Sequence, residues 1–247
     1  MDFSESVAIV TGASSGLGTH FATALVDRGA SVYGLARSED KLASVEASLG
    51  DAFRGLPCDV RDEDAVAEAV ETARTDAGRI DVLINNAGLG QFGPVDDLDT
   101  EAFDVQMETN VRGVFLCTRE VVPTMRAQND ASGFGGHIVN VASIAGLLGN
   151  PNIGAYNASK FAVRGFSESL MKEVRDDGIR VTCIYPGSVE TDFFDVAGVE
   201  MTDHPLKPED VAATVMHVLD APENHLISEL VVRPLRPRGY GGHHPPE

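Results

Sequence analysis

Lysine is nearly missing from this chain. Only four of its 19 basic residues are lysines (Lys41, Lys160, Lys172 and Lys207), and 38 acidic residues leave a net charge of −19 and a pI of about 4.6. A surface so poor in cations has little with which to meet a run of phosphates, which argues against nucleic acid as a partner. The carboxylates are spread along the whole chain rather than gathered in a tail. Such an acidic shell suits a protein that stays soluble where salt screens its charge, and points to a halophilic source. Cysteine is scarce too. Cys58, Cys117 and Cys183 lie in apolar runs, an odd number without CxxC spacing, so no disulfide framework is implied and buried reduced thiols in a cytoplasmic protein are expected. No apolar stretch approaches the roughly 18 residues of a membrane span, and the opening MDFSESVAIV has acid where a signal peptide needs base. The expectation is a soluble protein, neither exported nor membrane-bound.

No linker rich in Pro, Gly or Ser and no repeat of fixed period divides the 247 residues, whose 43% hydrophobic content is ample for one core. Only the end departs from this. Arg233 to Glu247 (RPLRPRGYGGHHPPE) is Pro/Gly-rich, and residues 236–247 are expected to be a flexible tail following a single domain over 1–235. His243 and His244 in that tail read as solvated side chains, and no metal is expected.

What is present is alternation. Short β-branched runs at Val7–Thr11, Ser31–Ala36, Phe53–Cys58, Ile80–Asn85, Gly136–Ala142, Ile179–Ile184 and Ile227–Val232 read as strands. Between them helical patterns run over Gly16–Arg28, Ser38–Leu49, Asp62–Ala77, Thr100–Met125, Ala155–Asp176 and Pro208–Leu219. Strand, helix, strand repeated in this way calls for a parallel sheet with right-handed crossovers and helices on both faces. Asp192 to Leu206 lacks periodicity and suits a mobile substrate lid.

The turn after the first strand is Thr11-Gly-Ala-Ser-Ser-Gly-Leu-Gly18. Its glycines allow a sharp turn and let backbone N–H groups approach a pyrophosphate at a helix N-terminus. At the end of the second strand, where a carboxylate would bind the ribose of NAD, the chain has Arg37-Ser38, which favours the 2′-phosphate of NADP. Asp59-Val60 ends the third strand, where the carboxylate can accept from an adenine amino group or else cap the segment that follows. Asn85-Asn86-Ala87-Gly88, Ser143 and Pro186-Gly187 end the next three strands on the same carboxyl edge, where ligands bind in open α/β sheets. In a helix from Ala155, Tyr156 and Lys160 share one face at i and i+4. A cation beside a tyrosine can lower its pKa from about 10 toward neutrality and so make it an acid/base group. Asn157-Ala158-Ser159 matches a glycosylation pattern but reads as a coincidence inside a helix.

Taken together, TGASSGLG, NNAG, Asn110, Ser143, YNASK and Pro186-Gly187 resemble the short-chain dehydrogenase/reductase family in identity and order, over roughly residues 5 to 235. The resemblance implies a three-layer, doubly wound Rossmann fold with a seven-stranded parallel sheet. It also implies catalytic roles for Asn110, Ser143, Tyr156 and Lys160: Tyr156 as acid/base, Lys160 holding the nicotinamide ribose and lowering the Tyr156 pKa, Ser143 donating to the substrate oxygen, and Asn110 binding a water that relays protons to Lys160. NADP (NADPH) would then lie along Gly12, Ser14, Ser15, Gly16, Leu17, Gly18, Arg37, Ser38, Asp59, Val60, Asn86, Ala87, Gly88, Tyr156, Lys160, Pro186, Gly187, Val189 and Thr191. The expected reaction interconverts a secondary alcohol and a ketone. The last strand closes with Ser228 to Pro234 (SELVVRP), not the VDGG of carrier-protein reductases, which resembles the branch acting on short hydroxy acids. Against an anionic substrate, 192–206 carries Asp192, Asp195, Glu200 and Asp203 with no Arg or Lys, while Phe193, Phe194 and Val196 suggest an apolar pocket. Two other readings are a 3-oxoacyl-carrier-protein reductase, docking through a patch made of Arg119, Arg126 and Arg164, and a non-catalytic NADP sensor or scaffold. A homodimer or homotetramer is expected from the family.

Overall fold

The computed structural model describes residues 2–193, 203–222 and 224–236. Most of the expected lid, with Phe194 and Val196, and the tail beyond Arg236, with His243 and His244, fall outside the described residues. Seven strands form one wholly parallel sheet in the order β3-β2-β1-β4-β5-β6-β7: β1 Val7–Thr11, β2 Ser31–Ala36, β3 Phe53–Pro57, β4 Val82–Asn85, β5 Gly136–Val141, β6 Ile179–Pro186 and β7 Glu229–Val232. The order reverses between β1 and β4, so the chain ends of these neighbours open a crevice at the carboxyl edge. Parallel strands buried on both faces need continuous apolar runs, and β1, β4 and β5 are buried at every position.

Helices cover both faces. Helices α1 (Gly16–Val26), α2 (Glu39–Leu49) and α7 (Pro208–Leu219) bury Phe21, Leu25, Leu42, Val45, Val215 and Met216 in one layer. On the other face, α3 (Glu63–Ala77), α5 (Gly113–Ser132) and α6 (Gly154–Val174) bury Val66, Val70, Leu116, Val121, Met125 and Leu170. Helix α4 (Thr100–Met107) joins α5 through a π-helical turn over Glu108–Arg112. The three cysteines are buried free thiols, and burial pushes Cys58 up to about 12, out of reach of redox chemistry near neutrality. Among the described residues no helix is long and apolar enough to cross a membrane.

The elements depart from expectation where a side chain supplies a hydrogen bond that local pattern does not reveal. The helix expected to stop at Met125 runs to Ser132, where Gly133 ends it at φ 77°. Beyond Met125 the Gln128 amide accepts from Ile80 N at 2.7 Å and donates to Ile80 O and Gly135 O at 2.9 Å, anchoring the added turn to the sheet. The same bonds take Ile80 out of β4, while the Asp81 backbone still bonds both neighbours, Asp81 N donating to Val7 O and His137 N to Asp81 O at 2.8 Å, and its carboxylate accepts from Val7 N at 2.9 Å. At the other edge β6 continues to Pro186 because β7 pairs with it as far as Pro186 and Val232.

Candidate active site

Two positions in the turn after β1 leave no room for a side chain. A Cβ on Gly18 would lie 2.1 Å from Gly12 O, and one on Gly12, at φ +68°, would meet Ala87 Cα at 3.0 Å. Ser15 is the N-cap of α1 without a side-chain cap bond, so the first N–H groups of that helix face outward with the helix dipole behind them. Ser14 and Leu17 flank the turn, Leu17 packing partly against the core. Thr11, unremarked as a site residue from sequence, ties two motifs together. Its hydroxyl accepts from Asn86 N at 3.0 Å and Ala87 N at 2.9 Å, while Asn86 Nδ2 donates to Thr11 O at 3.0 Å. The cradle is completed by Thr191, whose Cβ would lie 3.6 Å from a Gly16 Cβ, and by Val189, which bridges to Leu206 beyond Pro186 and Gly187. These crowded glycines and outward N–H groups fit a pyrophosphate.

At the end of β2, Arg37 is exposed, with no ion-pair partner among the described residues, and Ser38 caps α2. Of the two uses expected for Asp59, the structure shows the cap on the segment that follows, Oδ1 accepting from Arg61 N at 3.0 Å. Its carboxylate is clamped on Arg61, accepting from Nη2 at 2.6 Å and from Nε at 3.1 Å, and this hydrogen bonding holds its pKa below the usual carboxylate range, with the Arg37 charge a lesser contribution. Capping of α3 falls to Asp62, which accepts from Asp64 N and Ala65 N. Val60 turns into the core against Gly113, so only its backbone faces the carboxyl edge.

Helix α6 presents Ala155, Tyr156, Ser159, Lys160, Val163, Ser167 and Leu170 inward at i, i+3 and i+4 spacing. This brings Tyr156 beside Ser143, with which it hydrogen-bonds, and sets the Lys160 ammonium 5.7 Å from the Tyr156 ring centroid. The electrostatics correct the expected pKa. Burial pushes the Tyr156 phenol up to about 12, opposed only in part by Ser143, and burial pulls Lys160 down to about 8. Lys160 does not offset the burial of the phenol because its Nζ donates to Val141 O at 3.0 Å, held to the end of β5. In the protein by itself, Tyr156 is therefore a protonated donor near neutrality. Gly88 keeps the neighbourhood open, since a Cβ there would lie 3.2 Å from Asn110 Oδ1 and 3.4 Å from Lys160 Nζ.

Asn110 sits in the π-helical turn, a distortion that tends to mark functional positions. Its amide is engaged at both ends. Oδ1 accepts from Leu89 N at 2.9 Å, and Nδ2 donates to Leu89 O at 2.8 Å and Ser159 Oγ at 3.0 Å. Asn157, set aside as part of a coincidental motif, holds the Ser143 loop: Nδ2 donates to Ala145 O at 2.6 Å and Leu148 O at 2.8 Å, and Oδ1 accepts from Asn150 N at 3.1 Å. Phe92 also escaped sequence reading, because an aromatic in a loop has no distinguishing pattern. Its ring lies 5.4 Å from Tyr156 and 6.3 Å from Phe193, and Phe193 lies 5.6 Å from Tyr156.

Comparison with known proteins bears on the family and the fold. Residues 6–200 match the family described as short chain dehydrogenase. An uncharacterized oxidoreductase of Staphylococcus aureus strain USA300 is 34% identical over 233 residues, covering 94% of this chain and 98% of its own. Among solved structures, a 3-ketoacyl-(acyl-carrier-protein) reductase from Brucella melitensis complexed with NADH is 32% identical, with a TM-score of 0.86 over 92% of this chain and 96% of its own. A metagenomic short-chain oxidoreductase in complex with NADP is 33% identical, with a TM-score of 0.82 over 96% of this chain and 100% of its own.

Proposed function

The chain belongs to the short chain dehydrogenase family and is an NAD(P)-dependent oxidoreductase, and we propose that it is an NADP-dependent enzyme of the cytoplasm interconverting a secondary alcohol and a ketone, with Tyr156 as acid/base. The observation that carries this reading is the buried Tyr156 phenol, hydrogen-bonded to Ser143, with the Lys160 ammonium 5.7 Å from its ring centroid. The bound nicotinamide cofactor supplies or accepts the hydride. The chain supplies the rest. As negative charge develops on the carbonyl oxygen, the Ser143 and Tyr156 hydroxyls donate to it, and the Tyr156 proton moves to that oxygen to complete the alcohol. Lys160 holds a proton at Nζ beside the phenol, ready to balance the charge left on it, and Asn110 would relay protons onward through water. The net reduction consumes one hydride and one proton per ketone.

The carrier-protein alternative loses support from the arginines. Arg119 pairs with Glu63 at 2.9 Å and Glu120 at 2.7 Å, Arg126 with Asp177 at 2.7 Å and Arg164 with Glu229 at 3.2 Å, so none offers an uncompensated charge to an acidic partner. A purely sensing or scaffolding role would not require Ser143, Tyr156 and Lys160 to converge.

For the cofactor, Arg37 supports NADP, since a guanidinium beside a 2′-phosphate makes charge-assisted hydrogen bonds worth about 1.5–3 kcal/mol. Arg37→Asp is expected to raise the Kd of NADPH by about 10- to 100-fold and to leave that of NADH nearly unmoved, read by fluorescence titration. Equal affinities for NADH and NADPH in the unaltered protein would remove the assignment.

We also propose a homo-oligomer adapted to high salt. The exposed Phe115 on α5 and Phe161 on α6 support association, and the net charge of −19 supports salt dependence through self-repulsion. A potassium chloride series is expected to raise the melting temperature and activity together, with light scattering reporting a dimer or tetramer in high salt. Full activity and unchanged circular dichroism after dialysis into very dilute buffer would count against it.

A further inference from the structure

We infer that Lys41 is a second cation for the 2′-phosphate of NADP, acting with Arg37 and the Ser14 hydroxyl, so that cofactor choice is set by a pair of charges. The inference rests on the NADP reading and adds to it a residue that neither the glycine turn nor the end of β2 singles out.

Two observations carry it. The first is a cleft. Helices α1 and α2 both start at the carboxyl edge of the sheet, and between them lies an open cleft of about 280 Å³. Thr19 and Thr23 line it from α1, and Lys41, Ser44 and Ser48 line it from α2, each set sharing one face of its helix by spacing. Ser14, from the turn that fits a pyrophosphate, lines it too. Ser14 precedes α1 and Lys41 lies in the first turn of α2, so both stand at the end of the cleft nearest the sheet edge. Lys41 N donates to Ser38 Oγ at 3.4 Å, which sets the root of its side chain against the residue that follows Arg37. Three segments thus converge at one mouth: the turn after β1, the end of β2 and the first turn of α2.

The second observation is charge. The hydroxyls of Thr19, Thr23 and Ser44 donate to Ala13 O at 3.3 Å, Thr19 O at 2.9 Å and Asp40 O at 2.9 Å, so their protons are already engaged. The Ser14 hydroxyl and the exposed Lys41 ammonium have no partner among the described residues, and Lys41 is the one charged residue among those lining the cleft. By contrast, Lys160 is held in the catalytic site and Lys172 pairs with Glu168 at 2.5 Å. Glu39 and Asp40 share the first turn with Lys41, but residues one and two apart on a helix do not face each other. Arg37 has a competing anion, since its charge already acts on Asp59. A phosphate monoester carries about −1.5 to −2 near neutrality, more than one guanidinium balances, and an ammonium beside it supplies the remainder.

The test is a fluorescence titration with NADPH and NADH on the unaltered protein, Lys41→Ala and Lys41→Arg, at the lowest potassium chloride concentration that keeps the circular dichroism intact. Lys41→Ala is expected to raise the Kd of NADPH by about 5- to 10-fold and to leave that of NADH within about twofold, while Lys41→Arg holds both within about twofold. Competition by 2′,5′-ADP, which carries the extra phosphate without the nicotinamide, should weaken in Lys41→Ala by the same factor, and competition by 5′-AMP should not. A loss shared equally by NADPH and NADH, or an unchanged NADPH/NADH ratio in Lys41→Ala while Arg37→Asp shifts it, would overturn the inference and leave the NADP reading standing. Equal affinities for the two cofactors in the unaltered protein would remove that reading, and this inference with it.

Discussion

Tyr156→Phe is expected to lower the turnover of ketone reduction by about 10³- to 10⁴-fold while NADPH binds with nearly unchanged affinity. The size follows from the site. The phenol, pushed up to about 12 by burial, is the group that can give a proton to the developing alkoxide, and Ser143 can hydrogen-bond that oxygen but not replace the transfer. The fold should tolerate the change, because phenylalanine keeps the ring contacts with Phe92 and Phe193 and only the bond to Ser143 is lost, a cost of about 1 kcal/mol. Single-turnover measurements in excess NADPH separate the chemical step from binding. Turnover above a tenth of the parent would remove Tyr156 from the mechanism. The pH profile gives a second reading. Lys160, lowered to about 8 by burial, is charged below that pH and neutral above it, so reduction should decline as pH rises through about 8.

Asn110→Ala is expected to lower the unfolding free energy by about 2–4 kcal/mol, and the melting temperature by about 10 °C. The amide is 1% exposed and satisfies both Leu89 N and Leu89 O as well as Ser159 Oγ, so truncation leaves buried backbone groups without partners. A urea titration measures this directly. A variant that unfolds at the parent's midpoint yet has lost its turnover would show that the residue matters for relaying protons and not as a pin between the β4 loop and α6.

The parts of the site legible in the sequence were those with a local signature. Gly12 and Gly18 announce a turn too tight for a Cβ and Gly16 a left-handed backbone at φ +52°, and Tyr156 and Lys160 announce a shared helix face by their spacing alone. Thr11, Gln128 and Asn157 were not legible, because each acts on a carbonyl or N–H group supplied by folding: Thr11 on Asn86 and Ala87, Gln128 on Ile80, Asn157 on the Ser143 loop. For Asp59 the cap on Arg61 N was legible, but the clamp of the Arg61 guanidinium on the same carboxylate was not. The sign of the Tyr156 shift was likewise hidden. Spacing brings a cation near the phenol, but the burial that outweighs it and the carbonyl that tethers Lys160 belong to the folded chain.

The π-helical turn at Glu108–Arg112 has a consequence for what changes of length the fold accepts. A helix advances about 100° per residue, so one surplus residue sets the phase between the segments before and after it. Gln106 on α4 can therefore face the loop carrying Gln91 while Thr118 on α5 faces Asn85, two targets that a uniform helix would present at a different angle. Removing a single residue from this turn would rotate one whole segment away from its partners. Chain length there is thus as tightly constrained as residue identity, whereas a surface loop of the same size would absorb the loss.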